Sequence, residues 1–188
     1  MGEILDDTEI ATYHCNGYMV LHDYLDGSII DGILDDITRI TQEAAHMDES
    51  NDRIDVADDH TRESPKIRRI KLPHQISNPV RELLMSQAIL GVARDLIGPD
   101  LRLHTTKLNM KLAGHGDAIA WHQDFAFYPH TNDDALAIGV MLDDVTTDNG
   151  PLIVFPKTHQ GPIHDHHIDN VFAGAMDLPR AGLSPKNA

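Results

Sequence analysis

The chain has 188 residues, 41% of them hydrophobic, which is enough to build the core of one domain. Thirty acidic residues against 15 basic ones give a formal charge of -15. Such a field repels phosphate backbones and anionic membranes, so neither nucleic acid nor a membrane is an expected partner.

The opening stretch, "MGEILDDTEIATYH", is acidic and lacks the positive and apolar regions of a signal peptide. Asp6 stands where a myristoylation signal after Gly2 requires Ser or Thr. No run has the length of a transmembrane helix. A single cysteine, Cys15, excludes an internal disulfide and a thiolate zinc cluster, and it fits a cytoplasmic setting. "GYMVLHDYL" (17–25) reads as a short strand. From Ser28 to about Ala45, Ile29, Ile30, Ile33, Leu34, Ile37 and Ile40 recur at helical spacing behind an Asp or Ser cap. Residues 46–65 are polar, acidic and without pattern, as a loop would be. A second helix is predicted over 78–97, with Pro79 in its first turn and Gly98 at its end. The character then changes. "LRLHTTKLNMKL" (101–112) alternates like a strand, with Lys107, Asn109 and Lys111 on one face. A Gly-containing loop, "AGHGD", leads into "AIAWHQD". "LAIGVMLDD" (136–144) is an apolar run suited to a buried strand, and Asn149-Gly150 predicts a hairpin turn before another at 152–155. Helices first and strands second predict an α+β domain over 1–188, helical to about 98 and a sandwich or barrel from about 99.

Thirteen histidines are the compositional anomaly. The informative ones lie near "AWHQDFAFYPHTNDD" (120–134), where His122 and Asp124 are two apart. Side chains two apart on a strand share a face, and imidazole plus carboxylate on one face is two-thirds of a two-histidine, one-carboxylate iron site. Such a pair also occurs by chance in many chains. Lys107 and Asn109 read equally as a solvated strand face, and Tyr128 as ordinary core. Trp121 is expected to pack beside the site.

The stretches "NGYMVL", "KLNMKLAG", "WHQDFAFYP", "GVMLDDVTTDNGPLIVFPKTHQG" and "AGAMD" occur in that order. Together they resemble the phytanoyl-CoA dioxygenase family of iron(II)/2-oxoglutarate oxygenases, over most of residues 16–177 and most densely from Lys107 to Gly161. The resemblance implies a double-stranded β-helix, the cupin-like jelly roll, with N-terminal helices on its outer face. It also implies Fe(II) as the metal, with 2-oxoglutarate and O2 as co-substrates. His122 and Asp124 map onto iron ligands, Asn109 and with it Lys107 onto the co-substrate side, and Tyr128 onto an aromatic that lines the site. His159 in "PKTHQG" maps onto a loop residue, not a ligand. Related halogenases replace the carboxylate by a small residue, so Asp124 implies hydroxylation of a small organic molecule.

In this family a distal histidine and then an arginine complete the site. Neither is recognised by Ala188, and about four core strands are visible where a jelly roll needs eight. The expectation is therefore an incomplete jelly roll with a bare apolar face, in a parent chain longer by roughly 70 to 100 residues. "HDHHIDN" (164–170), with Arg180 beyond it, has no apolar strand leading in and is not the expected third ligand. Two rivals stay open: a cupin-like metal protein with non-oxidative chemistry, and a non-catalytic relative acting as a binding module.

Overall fold

The computed structural model describes residues 2–112, 119–132 and 134–188. Helix α1 (Asp7–Asn16) opens on a capping box: Asp6 accepts from the Thr8 and Glu9 amides, and the Glu9 carboxylate accepts from the Asp6 amide. Ahead of it, the Asp95 carboxylate accepts the amides of Glu3, Ile4 and Leu5, each at 2.8 Å. That grip holds Leu5 buried against Val92 and Leu96. The far end of α1 is closed from a distance. The imidazole Nε2 of His159 and the side-chain amide of Gln160 reach the His14 carbonyl at 3.0 and 3.3 Å, and the Lys157 amide donates to the Asn16 carbonyl at 2.7 Å. Gly17, at φ +81°, leaves room for this, since a Cβ there would lie 2.2 Å from His159 Nδ1.

Helix α2 (Gly27–Glu43) matches the isoleucine spacing, with Asp26 as its cap. Ile33 and Ile40 are buried, and Ile40 and Ala44 pack on Ile67 and Ile70 of a three-stranded antiparallel sheet. That sheet, in the order β1 (Ile54–Val56), β2 (Ile67–Lys71), β3 (Lys107–Asn109), is two-faced. Ile54, Ile70 and Leu108 lie opposite one another on the core side. Asp55, Arg69 and Asn109 lie opposite one another on the other face, with Lys71 opposite Lys107. Three cations share that face with one carboxylate; Asp55, nearly buried, is 2.7 Å from Lys71 Nζ and 3.9 Å from Arg69 Nη1.

Several predicted elements differ. The loop expected at 46–65 contains β1. The helix expected over 78–97 is two, α3 (Asn78–Leu84) and α4 (Gln87–Ile97), because Ser86 is extended (φ -75°, ψ 159°) and its hydroxyl donates to the Leu83 carbonyl. The 17–25 stretch is not a strand: it turns at Asp23 (φ +51°) and has no ladder partner among the described residues. Of 101–112 only Lys107–Asn109 is strand, and its bonding to the β2 side runs one residue further at each end, from the Leu72 amide to the Thr106 carbonyl and from the Met110 amide to the Arg68 carbonyl, both at 2.9 Å. The Asn149-Gly150 turn forms, with Asn149 bonded to the Thr146 amide and the Asp144 carbonyl. Its flanks at 136–144 and 152–155 form no strand, and Leu152 and Ile153 are exposed. An apolar run makes a strand only where another backbone completes its hydrogen bonds, and the described residues supply none there. They therefore form no closed jelly roll. A hairpin not anticipated, β4 (His167–Ile168) and β5 (Val171–Phe172), turns through Asp169 and Asn170, both at positive φ. A short helix, α5 (Leu178–Ala181), follows.

Candidate metal centre

Gln123 is extended (φ -112°, ψ 126°), so its neighbours His122 and Asp124 fall on one side of the chain. The sequence placed them on a strand. They lie instead on an unpaired extended segment running into a 3-10 turn, Asp124–Ala126. The period-two geometry survives without the sheet because it belongs to one extended residue. His122 Nε2 is 3.2 Å from Asp124 Oδ1, with the imidazole about one-quarter exposed and the carboxylate about half. His122 Nδ1 is 2.8 Å from the Ala120 carbonyl, which fixes Nδ1 as the donor and leaves Nε2 as the lone pair beside the carboxylate. Two acceptors at this distance need a positive charge between them. A second proton on the imidazole supplies it, or a metal cation does, and an imidazole whose outer N–H is held by a carbonyl is the usual form of a metal-bound histidine. One imidazole nitrogen and one carboxylate oxygen are donors of the kind that would hold iron(II).

Aromatic side chains lie beside His122. Phe127 meets the His122 ring edge-on (5.4 Å, 82°), and Phe172 meets Phe127 likewise (5.1 Å, 80°). Trp121 packs on Phe155 at 4.5 Å, as a packing residue should. Tyr128 is half-buried and contacts His104 edge-on at 5.1 Å. Asn109 and Lys107 share a strand face as expected, and the face is exposed; Asn109 Oδ1 accepts from Arg69 Nε at 3.1 Å. Among the described residues no hydrogen bond or ion pair joins either of them to His122 or Asp124.

Among the described residues no three His, Cys, Asp or Glu side chains are grouped to hold a metal. Two of the three histidines of 164–170 have their rings engaged otherwise. Asp165 Oδ1 accepts from the His167 ring (2.8 Å) and amide (3.0 Å), and these bonds hold its carboxyl below the usual carboxylate range. His166 is buried with both ring nitrogens bonded. The "AGHGD" loop lies outside the described residues. Sequence reasoning missed Gln123, whose amide and side chain bond to 162–166; its position between the two ligand candidates was the available signal.

A family model described as phytanoyl-CoA dioxygenase matches residues 13–176. The chain is 32% identical over 154 residues to a probable alpha-ketoglutarate-dependent hypophosphite dioxygenase of Stutzerimonas stutzeri, covering 82% of this chain and 54% of that protein. It is 38% identical over 107 residues to an L-proline trans-4-hydroxylase of Streptomyces griseoviridis, covering 54% of this chain and 40% of that one. The chain thus spans about half the length of the curated relatives it matches. The iron-bound crystal structure of EctD from S. alaskensis superposes with a TM-score of 0.57 at 24% identity, over 66% of this chain and 42% of that one. That likeness concerns the fold.

Proposed function

The chain belongs to the phytanoyl-CoA dioxygenase family, and from that premise we propose that it serves an iron(II)/2-oxoglutarate-dependent dioxygenase that hydroxylates an unactivated C–H bond of a small organic molecule. The observation that carries the reading is the convergence of His122 Nε2 and Asp124 Oδ1 with Nδ1 tied to a carbonyl. Two relatives are named for small-molecule substrates, hypophosphite and proline, which supports that substrate class. The likeness to EctD supports a jelly roll as the scaffold of the whole enzyme.

Iron(II) with 2-oxoglutarate and dioxygen supplies the oxidant, and 2-oxoglutarate leaves as succinate and carbon dioxide. The residues of this chain do the rest. His122 and Asp124 hold the metal, one neutral donor and one anionic. The Phe127 ring packs edge-on against the His122 imidazole and is itself backed by Phe172, which gives the ligand candidate an apolar neighbour. Lys107 and Asn109 are assigned to the dianionic co-substrate. Their face, with Arg69 and Lys71 opposite them, is a basic strip on a chain of formal charge -15. Tyr128 is assigned to the lining of the same site. Cys15, exposed and free, suits the cytoplasmic location we assign, and no helix among the described residues is long and apolar enough to cross a membrane.

The test is oxygen-dependent release of succinate from 2-oxoglutarate by the intact protein and its Asp124→Ala variant. The variant should lose turnover while keeping its circular dichroism, since only a metal contact is removed. Unchanged succinate release in the variant sinks the assignment.

A further inference from the structure

The residue between the two ligand candidates is held from behind by a segment forty residues away. The Gln123 amide donates to His166 Nε2 at 2.9 Å; the Gln123 side chain accepts from the His164 amide at 2.7 Å and donates to the Pro162 carbonyl at 3.1 Å. A fourth bond, from the Met176 amide to the Trp121 carbonyl at 2.8 Å, ties the residue before His122 to the same part of the chain. Because Gln123 is extended, its side chain leaves on the side opposite His122 and Asp124, so the strap grips the segment without covering the open pair.

His166 is the fixed point of the strap. It is 2% exposed, with Phe172 stacked on its ring (24°) and Phe127 edge-on (77°). Its Nε2 can accept from Gln123 only if the ring proton sits on Nδ1, and Nδ1 lies 2.8 Å from the His164 carbonyl, the acceptor that tautomer needs. Both nitrogens are thereby used. A buried, fully bonded imidazole cannot serve as a metal ligand in this arrangement, yet it sets the backbone from which two ligands project. Phe127 touches both His166 and His122, so the same ring that packs the strap also fixes the ligand ring's tilt.

We infer that His166, in its Nδ1–H tautomer, is a positioning residue for the metal centre. Through the Gln123 amide it holds the extended conformation that keeps His122 and Asp124 on one side. This rests on the proposed iron site, and the experiment separates the two. Cobalt(II) alone is titrated into the protein and followed by its visible absorption, alongside long-range nitrogen NMR of the histidine rings. The His166 ring should be the Nδ1–H tautomer in the folded protein; an Nε2–H or doubly protonated ring overturns the inference.

His166→Gln places an amide oxygen near the position of Nε2 and should bind cobalt within about threefold of wild type. His166→Asn reaches only the Nδ1 position and should bind about tenfold more weakly or worse, the range seen when supporting groups around metal ligands are lost. Equal binding in the two variants, whether both normal or both impaired, overturns the positioning role. Should the His166 variants fail to fold, the ring tautomer of the wild-type protein decides alone: Nε2 can accept the Gln123 amide only in the Nδ1–H form, and an Nε2–H ring overturns the inference. If wild type binds no cobalt, or His122→Ala binds as wild type does, the iron-site reading falls and the inference with it. Normal wild-type binding with indifferent His166 variants removes the inference alone.

Discussion

Replacing Ile70 by Ala tests whether the sheet is held by its apolar face. Ile70 has no exposed surface and packs with Ile40, Ala44 and Ile67, bordered by Met47, Ile54, Leu108 and Met110. The change removes three carbons; at about 0.8 kcal/mol per buried methylene the transfer loss is about 2.4 kcal/mol. The space left behind adds about 1–2 kcal/mol where the surroundings stay in place, and less where the flexible Met47 and Met110 move in. The expected loss is therefore about 2.5–4 kcal/mol. The assay is equilibrium unfolding in urea, read as a shift in midpoint at unchanged slope. Met85→Ala, at a position 64% exposed, is the control and should change stability by less than about 0.5 kcal/mol. A loss below about 1 kcal/mol for Ile70→Ala refutes the view that this cluster carries the sheet.

Asn109→Ala should raise the apparent 2-oxoglutarate KM about tenfold or more, since one hydrogen bond to a charged group is worth about 1.5–3 kcal/mol; a change confined to the primary substrate's KM shows that Asn109 does not face the co-substrate. Asp95 has its carboxyl held below the usual range by the Leu5, Ile4 and Glu3 amides. The ionised form is the one the fold favours, so its contribution is present above the unfolded-state pKa and is lost as pH falls through the lowered folded value. Protection of the Ile4 and Leu5 amides from hydrogen exchange, relative to the intrinsic rate at each pH, should fall below about pH 4, and Asp95→Asn should lose that protection already at neutral pH; full protection in that variant refutes the latch. Gly91→Ala should lower Tm although alanine favours helix, because the new Cβ would lie 2.4 Å from Ile4 Cγ1; a rise in Tm refutes that contact.

What could be read from the sequence was local. The isoleucines of α2 and the Asp26 cap declare a helix because all the information lies within a few turns. The His122–Asp124 juxtaposition was legible for the same reason: one extended residue produces it, whether or not a sheet is present. The strand β2, "IRRIK", hid because its buried residues, Ile67 and Ile70, are three apart, and β1 pairs with it through an irregular register at Asp55 and Val56. The break at Ser86 was invisible because serine reads as tolerable in a helix until its hydroxyl takes the Leu83 carbonyl. The apolar runs at 136–144 and 152–155 look like strands by composition, but pairing is a property of two segments and cannot be read from one. His166 was missed as a positioning residue because its partner is 43 residues away and its surroundings, "HDHHIDN", suggest a ligand cluster or a polar loop.

The closure of α1 by the turn at Lys157–Gln160 bears on how the protein is made. The helix buries no residue of its own, and its last carbonyls wait for donors some 145 positions further on. A ribosome adding about 5–20 residues per second needs roughly 7–30 s to deliver them. Over that interval the end of α1 has only water to bond, while Asp95 can already have secured the segment in front of it. The first helix in the chain is thus among the last to be finished, and a nascent polypeptide halted between residues 95 and 157 would present its beginning docked and α1's C-terminal end frayed.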